Sequence, residues 1–335
     1  MTLVFSIRYD YSTTLVQKWL DYYGEKVVRM NGDDDTYIFE GMDNKAIWFK
    51  NQLTGESINL REAKACWWRR TAIHPEHITR TRRTEFSYNG LELSALIKGK
   101  RNMLDEENKA ITEYISYAVY QSASINLGKP LFNLNRLIVA DIAAKHGFKV
   151  PDYKIISNCR ELPAIKKQFG SLVTKAVSNG IYRDIERHRF YTYTELLEDD
   201  FINDNLDTAI YPSMVSAMVR KQFEVRTFFI EGRCFSMAIF SQSNERTKID
   251  FRKYSNNRNL PFKLPDHIEE RLRNIFAELQ LNCGSVDLIV DDQDDFVFLE
   301  INPVGQFGMT SEPCNYNLHQ LVAKYLIHGT VDKTY

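Results

Sequence analysis

The chain opens with a short unbroken apolar run, Leu3 to Ile7, of the kind that forms a buried strand. A helical period follows. Ser12 or Thr13 can cap it, Leu15, Val16, Trp19, Leu20 and Tyr23 give its apolar positions, and Gly24 stops it. Val27-Val28 begins a second strand, so the N-terminal part predicts a β-α-β unit. Two more strand-like runs, Tyr37–Glu40 and Ala46–Phe49, precede Ala65-Cys66-Trp67-Trp68-Arg69-Arg70. Residues 103–128 carry a helical pattern. A stronger helix is predicted over Asn133–His146: Asn133 or Asn135 can cap it, Leu137, Ile138, Ile142 and Ala143 form its buried face, Gly147 ends it and Pro151 prevents continuation. From Tyr153 the pattern changes to short strands at Tyr153–Ile156, Leu172–Ala176, Val215–Val219, Glu224–Ile230 and Arg233–Phe240. Asp266 and Glu269 have capping-box spacing at the start of a helix over Asp266–Leu279. Strands at Ser285–Val290 and Phe296–Asn302 and a helix at Leu318–Leu326 complete the pattern.

With 335 residues the chain exceeds one small core and divides into two or three packed units, the best boundary being the composition shift near residues 120–135. A formal net charge of -1 gives no bulk attraction to nucleic acid, and the basic run Arg80-Thr81-Arg82-Arg83 reads as a solvated face. The five cysteines are scattered without metal or disulfide spacing. Neither a secretory leader nor a membrane-length apolar run is seen, so a reducing cytoplasm is expected.

The chemistry concentrates in one predicted hairpin, Gly284–Val290 and Phe296–Pro303, joined by an acidic turn. Side chains alternate along a strand, which puts Glu300 and Asn302 on one face, shared with Phe298, while Val297, Leu299 and Ile301 face a core. A four-residue loop, Asp291–Asp294, places Asp287 opposite Phe298 and diagonal to Glu300, roughly 7–8 Å away. A slip of one residue would turn Asp287 to the other face. Two carboxylates and an amide on one face suit magnesium, which takes hard oxygen ligands. An ordinary exposed hairpin accounts well for the turn acids Asp291, Asp292, Asp294 and Asp295 and poorly for Glu300 and Asn302, which interrupt an apolar strand; on spacing alone the two readings stand about even.

Asp287 together with Phe298-Leu299-Glu300-Ile301-Asn302-Pro303 resembles the metal-binding end of the ATP-grasp superfamily. Other segments match it in order. Asn135-Arg136 opens a helix like the one that begins the central subdomain, although arginine stands where lysine is common. Leu172–Lys175 resembles the strand whose lysine meets the nucleotide phosphates, and Pro212–Val219 resembles the adenine hinge, with Ser216-Ala217 in place of the frequent Gln-Glu. Asp250-Phe251-Arg252 resembles the Asp-aromatic-Arg segment near the phosphates. Lys221 with Glu224-Val225-Arg226 resembles the Glu/Asp-x-Arg motif of graspetide synthetases, the microviridin-type peptide macrocyclases, and Trp67–Arg70 is similar to their N-terminal aromatic-Arg segment. The nearest type is the peptide maturase of the "grasp-with-spasm" group. The resemblance covers roughly residues 65–328.

That resemblance implies an α/β (α+β) protein of ATP-grasp fold: an N-terminal domain at 1–122, a central subdomain with a leader-peptide hairpin and helix at 123–215, and a C-terminal subdomain with the metal site at 216–335. It implies ATP and two Mg2+ ions, with Asp287, Glu300 and Asn302 as metal ligands. Arg136, Lys175, Arg252 and the hinge residues Ser216, Ala217, Met218 and Val219 would hold the nucleotide. Arg226 and Arg252 would act in catalysis, and Glu224 would orient Arg226 or meet the nucleophile. The implied substrate is a ribosomal precursor peptide whose Asp or Glu side chains are phosphorylated and then joined to Thr or Ser hydroxyls or Lys amines. Arg187–Thr194 and Glu195–Ile202 resemble the leader-binding hairpin and helix, with Glu198, Asp199 and Asp200 facing basic leader residues; a solvated acidic helix reads these three equally well. A homodimer is implied, with no nucleic-acid or membrane partner. The competing functions are an amino-acid ligase that adds glutamate to a protein tail or small molecule, and a non-catalytic nucleotide-binding scaffold.

Overall fold

The computed structural model describes residues 1–70, 73, 94–130, 134–178, 182–185, 188–243, 249–250 and 257–331, with backbone alone for 94–105, 182–185, 188–191 and 243. The basic run at 80–83 lies outside the described residues. The chain forms two compact units, 1–132 with 317–335 and 133–316.

In the first unit, β1 (Thr2–Ser6), α1 (Tyr11–Tyr22) and β2 (Val27–Asn31) form the expected β-α-β element. Strands β3 (Tyr37–Met42), β4 (Ile47–Asn51) and β5 (Ser57–Asn59) make a small antiparallel sheet. After β6 (Ala65–Trp68) comes α2 (Ser94–Ser122) and then β7 (Ile125–Leu127). The helical pattern at 103–128 therefore ends early, and its last residues pair as a strand beside β6. The four parallel strands run in the order β2-β1-β6-β7. All five residues of β1 are buried, as a central parallel strand covered on both faces requires. Leu3, Phe5, Ile47, Phe49, Trp68 and Val119 anchor the core.

The cap of α1 is Asp10, not Ser12 or Thr13: its carboxylate accepts the Thr13 amide at 3.1 Å. The same carboxylate meets Arg69 Nε at 3.1 Å and Arg70 Nε at 3.2 Å. Burial alone would raise the Asp10 pKa, but the two guanidiniums and the Thr13 amide outweigh it and hold the carboxyl below its ordinary value.

In the second unit, α3 (Arg136–Lys145) starts at an Asn135 cap, whose side chain accepts the Leu137 amide at 2.9 Å. Strands β8 (Tyr153–Asn158), β9 (Leu172–Lys175), β12 (Glu195–Leu196) and β13 (Ala209–Ala217) form a sheet in the order β12-β9-β13-β8. Helices α4 (Leu162–Phe169) and α5 (Asp199–Asp204) contribute Leu162, Ile165 and Ile202 to its core. The hairpin expected at 187–194 pairs β10 (Tyr182–Ile185) with β11 (His188–Tyr191), and Arg187 lies outside the described residues. The expected helix over Glu195–Ile202 is instead β12 followed by α5.

A five-stranded antiparallel sheet follows, from β14 (Lys221–Ile230), β15 (Arg233–Phe240), β16 (Arg258–Phe262), β17 (Cys283–Asp291) and β18 (Phe296–Asn302). Its order is β16-β15-β14-β17-β18. One face packs on α3 and α6 (Asp266–Glu278) through Val139, Ala143, Val225, Phe229, Leu272 and Phe276. Gly284 is needed there, since an added Cβ would meet the Phe276 ring at 2.9 Å. Pro265 holds the cap position of α6; Glu269 pairs with Lys263 and Arg273 instead of closing a capping box. The short α7 (Gly308–Cys314) sets Cys314 against Met237 and Ile239 of the opposite sheet face. The last helix, α8 (Leu318–His328), groups with the first unit, whereas the sequence division placed it in the third segment. Its apolar face explains this: Leu318, Leu321, Val322 and Leu326 are buried, and Gln320 donates to the Tyr23 hydroxyl at 2.8 Å.

Removing Asp10 would take from Arg69, 3% exposed, the buried carboxylate that it meets at 3.1 Å. Asp10→Ala is expected to cost about 3–5 kcal/mol of unfolding free energy in urea. Asp10→Asn should cost less because it keeps the cap. An unchanged midpoint for Asp10→Ala would contradict this account of the cluster.

Candidate active site

The second face of the five-stranded sheet carries the polar residues. Their placement depends on two irregularities in the strands. Between β17 and β18 the register runs Val290↔Phe296, Ile289↔Val297 and Leu288↔Phe298, then shifts so that Asp287 faces Glu300 and Ser285 faces Asn302. Leu299 is the extra residue of a β-bulge. The loop is one residue longer than the sequence reading assumed, which alone would have turned Asp287 away from Glu300; the bulge adds the second residue and restores the parity. The result is closer than expected: Asp287 and Glu300 are directly paired, not diagonal. Directly opposed residues have Cα atoms about 4.5–5.5 Å apart.

Two orientations differ from expectation for the same reason. Phe298 packs into the core with Leu288 and Ile301 and does not share the Glu300 face. Leu299 leaves the core side and lines a cavity with Ile289. The turn acids serve the turn: Asp291 Oδ1 accepts the amides of Gln293 and Asp295, each at 2.9 Å, and Lys149 pairs with Asp291 and Asp295.

A second irregularity lies in β14, where Lys221 pairs with Asp291 and Phe223 with Val290. Gln222 is passed over and donates to the Asp291 carbonyl at 2.8 Å. Lys221 and Glu224, three residues apart, consequently meet as a buried ion pair. Glu224 Oε2 also accepts Ser241 Oγ at 2.5 Å. Burial raises the Glu224 pKa, opposed by Lys221 and Ser241. Arg226 is the direct cross-strand partner of Asp287, and its Nη1 lies 2.7 and 2.6 Å from the two carboxylate oxygens. Arg226 is 5% exposed, and its buried Nε has no hydrogen-bond partner among the described residues.

Arg136, the first residue of α3, reaches the same face. Its Nη2 is 2.8 Å from Glu300 Oε2, and its Nη1 donates to the Ala176 carbonyl at 2.6 Å. The Asn302 side-chain oxygen accepts the Val304 amide at 3.0 Å, which fixes the orientation of the amide. The residues brought together are therefore Asp287, Glu300, Asn302, Arg226 and Arg136, with Glu224 one step along the face. Two carboxylates and an amide oxygen form a donor set that fits a hard divalent cation. No cluster of three or more His, Cys, Asp or Glu suited to a metal occurs among the described residues, so a cation here depends on the Asn302 amide as well.

Ile289 and Leu299, close along β17 and β18 to the paired acids, line a cavity of about 230 Å³. Lys175, Ser216, Ala217, Met218 and Val219 all line it, as do Lys221, Ile289 and Leu299. Ser216 is 2% exposed, and the Met218 amide is committed to the Ser171 carbonyl at 2.8 Å. Ile289 and Leu299 were missed as site residues because an alternating pattern assigns Leu299 to the core; the bulge carries no sequence signature. A larger cavity of about 970 Å³ adjoins it through Lys175 and is lined by Asn135, Thr174, Tyr193, Glu195 and Tyr211 among others.

Arg252 lies outside the described residues, as does Phe251. Asp250 of the same segment is buried and accepts the Thr194 amide at 3.0 Å. Glu198, Asp199 and Asp200 are exposed at the start of α5 and line neither cavity; Asp199 pairs with Lys166.

No protein-family profile matches the chain, and no curated protein matches it by sequence. Solved structures do resemble it. The macrocyclase MdnC bound with precursor peptide MdnA from Microcystis aeruginosa MRC is 21% identical, with a TM-score of 0.73 over 98% of this chain and 100% of that one. A RiPP-associated ATP-grasp ligase from Chryseobacterium gregarium, in complex with ADP and a leader and core peptide, is 21% identical, with a TM-score of 0.75 over 98% and 97% of the two chains. The ATP-grasp ligase PsnB, complexed with a phosphomimetic variant of minimal precursor, Mg and ADP, is 12% identical, with a TM-score of 0.68 over 97% of each chain. Across nearly its whole length, the chain has the ATP-grasp fold of these ligases.

Proposed function

We propose that this protein is an ATP-dependent ligase that phosphorylates Asp or Glu side chains of a ribosomal precursor peptide and joins them to hydroxyl or amine side chains as macrocycles. The observation that carries the reading is the direct pairing of Asp287 with Glu300 on two strands whose residues Ile289 and Leu299 line a cavity together with Lys175 and residues 216–219. The fold shared with ligases solved in complex with precursor peptides supports the choice of substrate.

In this reading the smaller cavity takes the base of ATP. Ile289 and Leu299 form its apolar floor, and backbone groups of residues 218–220 other than the Met218 amide read the base edge. Lys175 stands where the cavity opens toward the phosphates. Asp287, Glu300 and Asn302 would hold Mg2+, which supplies charge neutralisation to the phosphates when bound. The first chemical step is attack of a peptide carboxylate on the γ-phosphate, which demands positioning and neutralisation of charge. Arg226 serves both ends of that step. Asp287 holds its Nη1 and so orients the guanidinium toward the carboxylate or the transferred phosphoryl group. Glu224 holds Lys221 at the cavity wall and occupies the same strand face as Arg226. Arg252 belongs to the proposal on the motif resemblance alone, as do leader contacts at Glu198, Asp199 and Asp200. A homodimer and a cytoplasmic setting are likewise part of the proposal. Among the described residues, no helix is long and apolar enough to cross a membrane.

Incubation with a precursor peptide encoded beside the gene, ATP and magnesium should remove about 18 Da per ring, one water for each condensation, as read by mass spectrometry. Glu300→Gln should abolish the loss while keeping the fold. No mass loss with ATP unconsumed would overturn the reading, and a gain of a glutamyl residue would point to the amino-acid ligase instead.

Glu224 yields a prediction in pH. Its folded-state pKa is raised by burial, so the native state holds this proton more tightly than the unfolded chain does. The stabilisation is fully present below the ordinary glutamate range and is lost as pH rises through the raised value. Glu224→Gln should flatten that part of the Tm-against-pH curve, and an unaltered slope would contradict the assignment.

A further inference from the structure

We infer that Arg136 is a gate on the cation site: it holds Glu300 until nucleotide phosphates claim its guanidinium, so that divalent-cation uptake follows nucleotide binding. This rests on the metal reading of Asp287, Glu300 and Asn302 given above.

The geometry of Arg136 is a two-point clamp. Nη1 is anchored on the Ala176 carbonyl at 2.6 Å, just beyond the end of β9, and Nη2 lies 2.8 Å from Glu300 Oε2. A guanidinium can serve two acceptors at once through separate nitrogens in a fixed plane, whereas a lysine presents a single ammonium nitrogen. The Arg136 and Glu300 side chains are both 21% exposed, so the pair is partly shielded from water.

The charge balance makes the clamp consequential. Among the described residues, Asp287 is contacted by Arg226 and Glu300 by Arg136, so each of these carboxylates already faces a guanidinium. A free divalent cation meets little net attraction at such a set. The two arginines differ in freedom. Arg226 is 5% exposed in the middle of the sheet. Arg136 sits at a helix start, and its neighbours Asn135 and Ala176 both line the cavity of about 970 Å³. A phosphate carries more charge than a carboxylate and accepts a guanidinium fork well. Bound nucleotide would therefore draw Arg136 from Glu300 and add negative charge in the same event, opening the carboxylate to the cation.

The test is Mn2+ binding by the full-length protein, measured as loss of the free-ion EPR signal, with and without ADP. Wild type should bind Mn2+ weakly alone and much more tightly with ADP. Arg136→Gln should bind Mn2+ without nucleotide about tenfold more tightly than wild type. Arg136→Lys should fall between them, and the double variant Arg136→Gln/Glu300→Gln should show no gain. Equal Mn2+ affinity of nucleotide-free wild type, Arg136→Gln and Arg136→Lys would overturn the gate. If Glu300→Gln with ADP bound the ion as tightly as wild type with ADP, the metal assignment itself would fall.

Discussion

Side chains on a strand alternate with a period of two, and a site built across a hairpin depends on that parity. In this chain the loop length gives β17 and β18 a register in which Asp287 and Glu300 would face opposite ways. The extra residue at Leu299 reverses that and sets them side by side. The same bulge sends Leu299 into the cavity and leaves Phe298 and Ile301 in the core. A bulge at the edge strand is the cheapest place for such a correction, since among the described residues β18 pairs on one side with β17 and makes only an isolated bridge, Lys149 to Val297, on the other. Gln222 plays the equivalent part in β14, bringing Lys221 to the face of Glu224.

Once the acids share a face, charge must be balanced there. Asp287 and Glu300 are each met by an arginine, one from the neighbouring strand and one from the start of α3. The Asn135 cap sets where α3 begins and so determines where Arg136 stands. Packing of α3 and α6 on the far side of the sheet then holds helix and hairpin in one body, through the core around Val139, Phe276 and Phe298. Core packing, cap and bulge thus converge on the same few oxygen and nitrogen atoms.

Much of this was legible in the sequence. The strands β17 and β18, the helix at Arg136–Lys145 and the motif residues were placed by periodicity, caps and resemblance, and the structure brings Arg226, Asp287, Glu300 and Asn302 together. The register was not legible. Loop length and bulge position each change parity, and nothing in Phe298-Leu299-Glu300 announces which residue is extra. The two errors offset each other, so the acids were put on one face with the wrong neighbours. The cap of α1 was missed for a different reason: Asp10 is held by Arg69 and Arg70, which are distant in sequence. The capping box at Asp266 failed because Glu269 is drawn to Lys263 and Arg273.

The central claim is that these residues direct a peptide carboxylate onto the γ-phosphate of ATP. A precursor peptide with its side-chain carboxylates labelled with oxygen-18 tests it most directly, by mass analysis of the phosphate released during ring formation. Activation as an acyl phosphate predicts that each ring formed transfers one labelled oxygen to inorganic phosphate. Rings formed with unlabelled phosphate, or with the label in AMP, would contradict it.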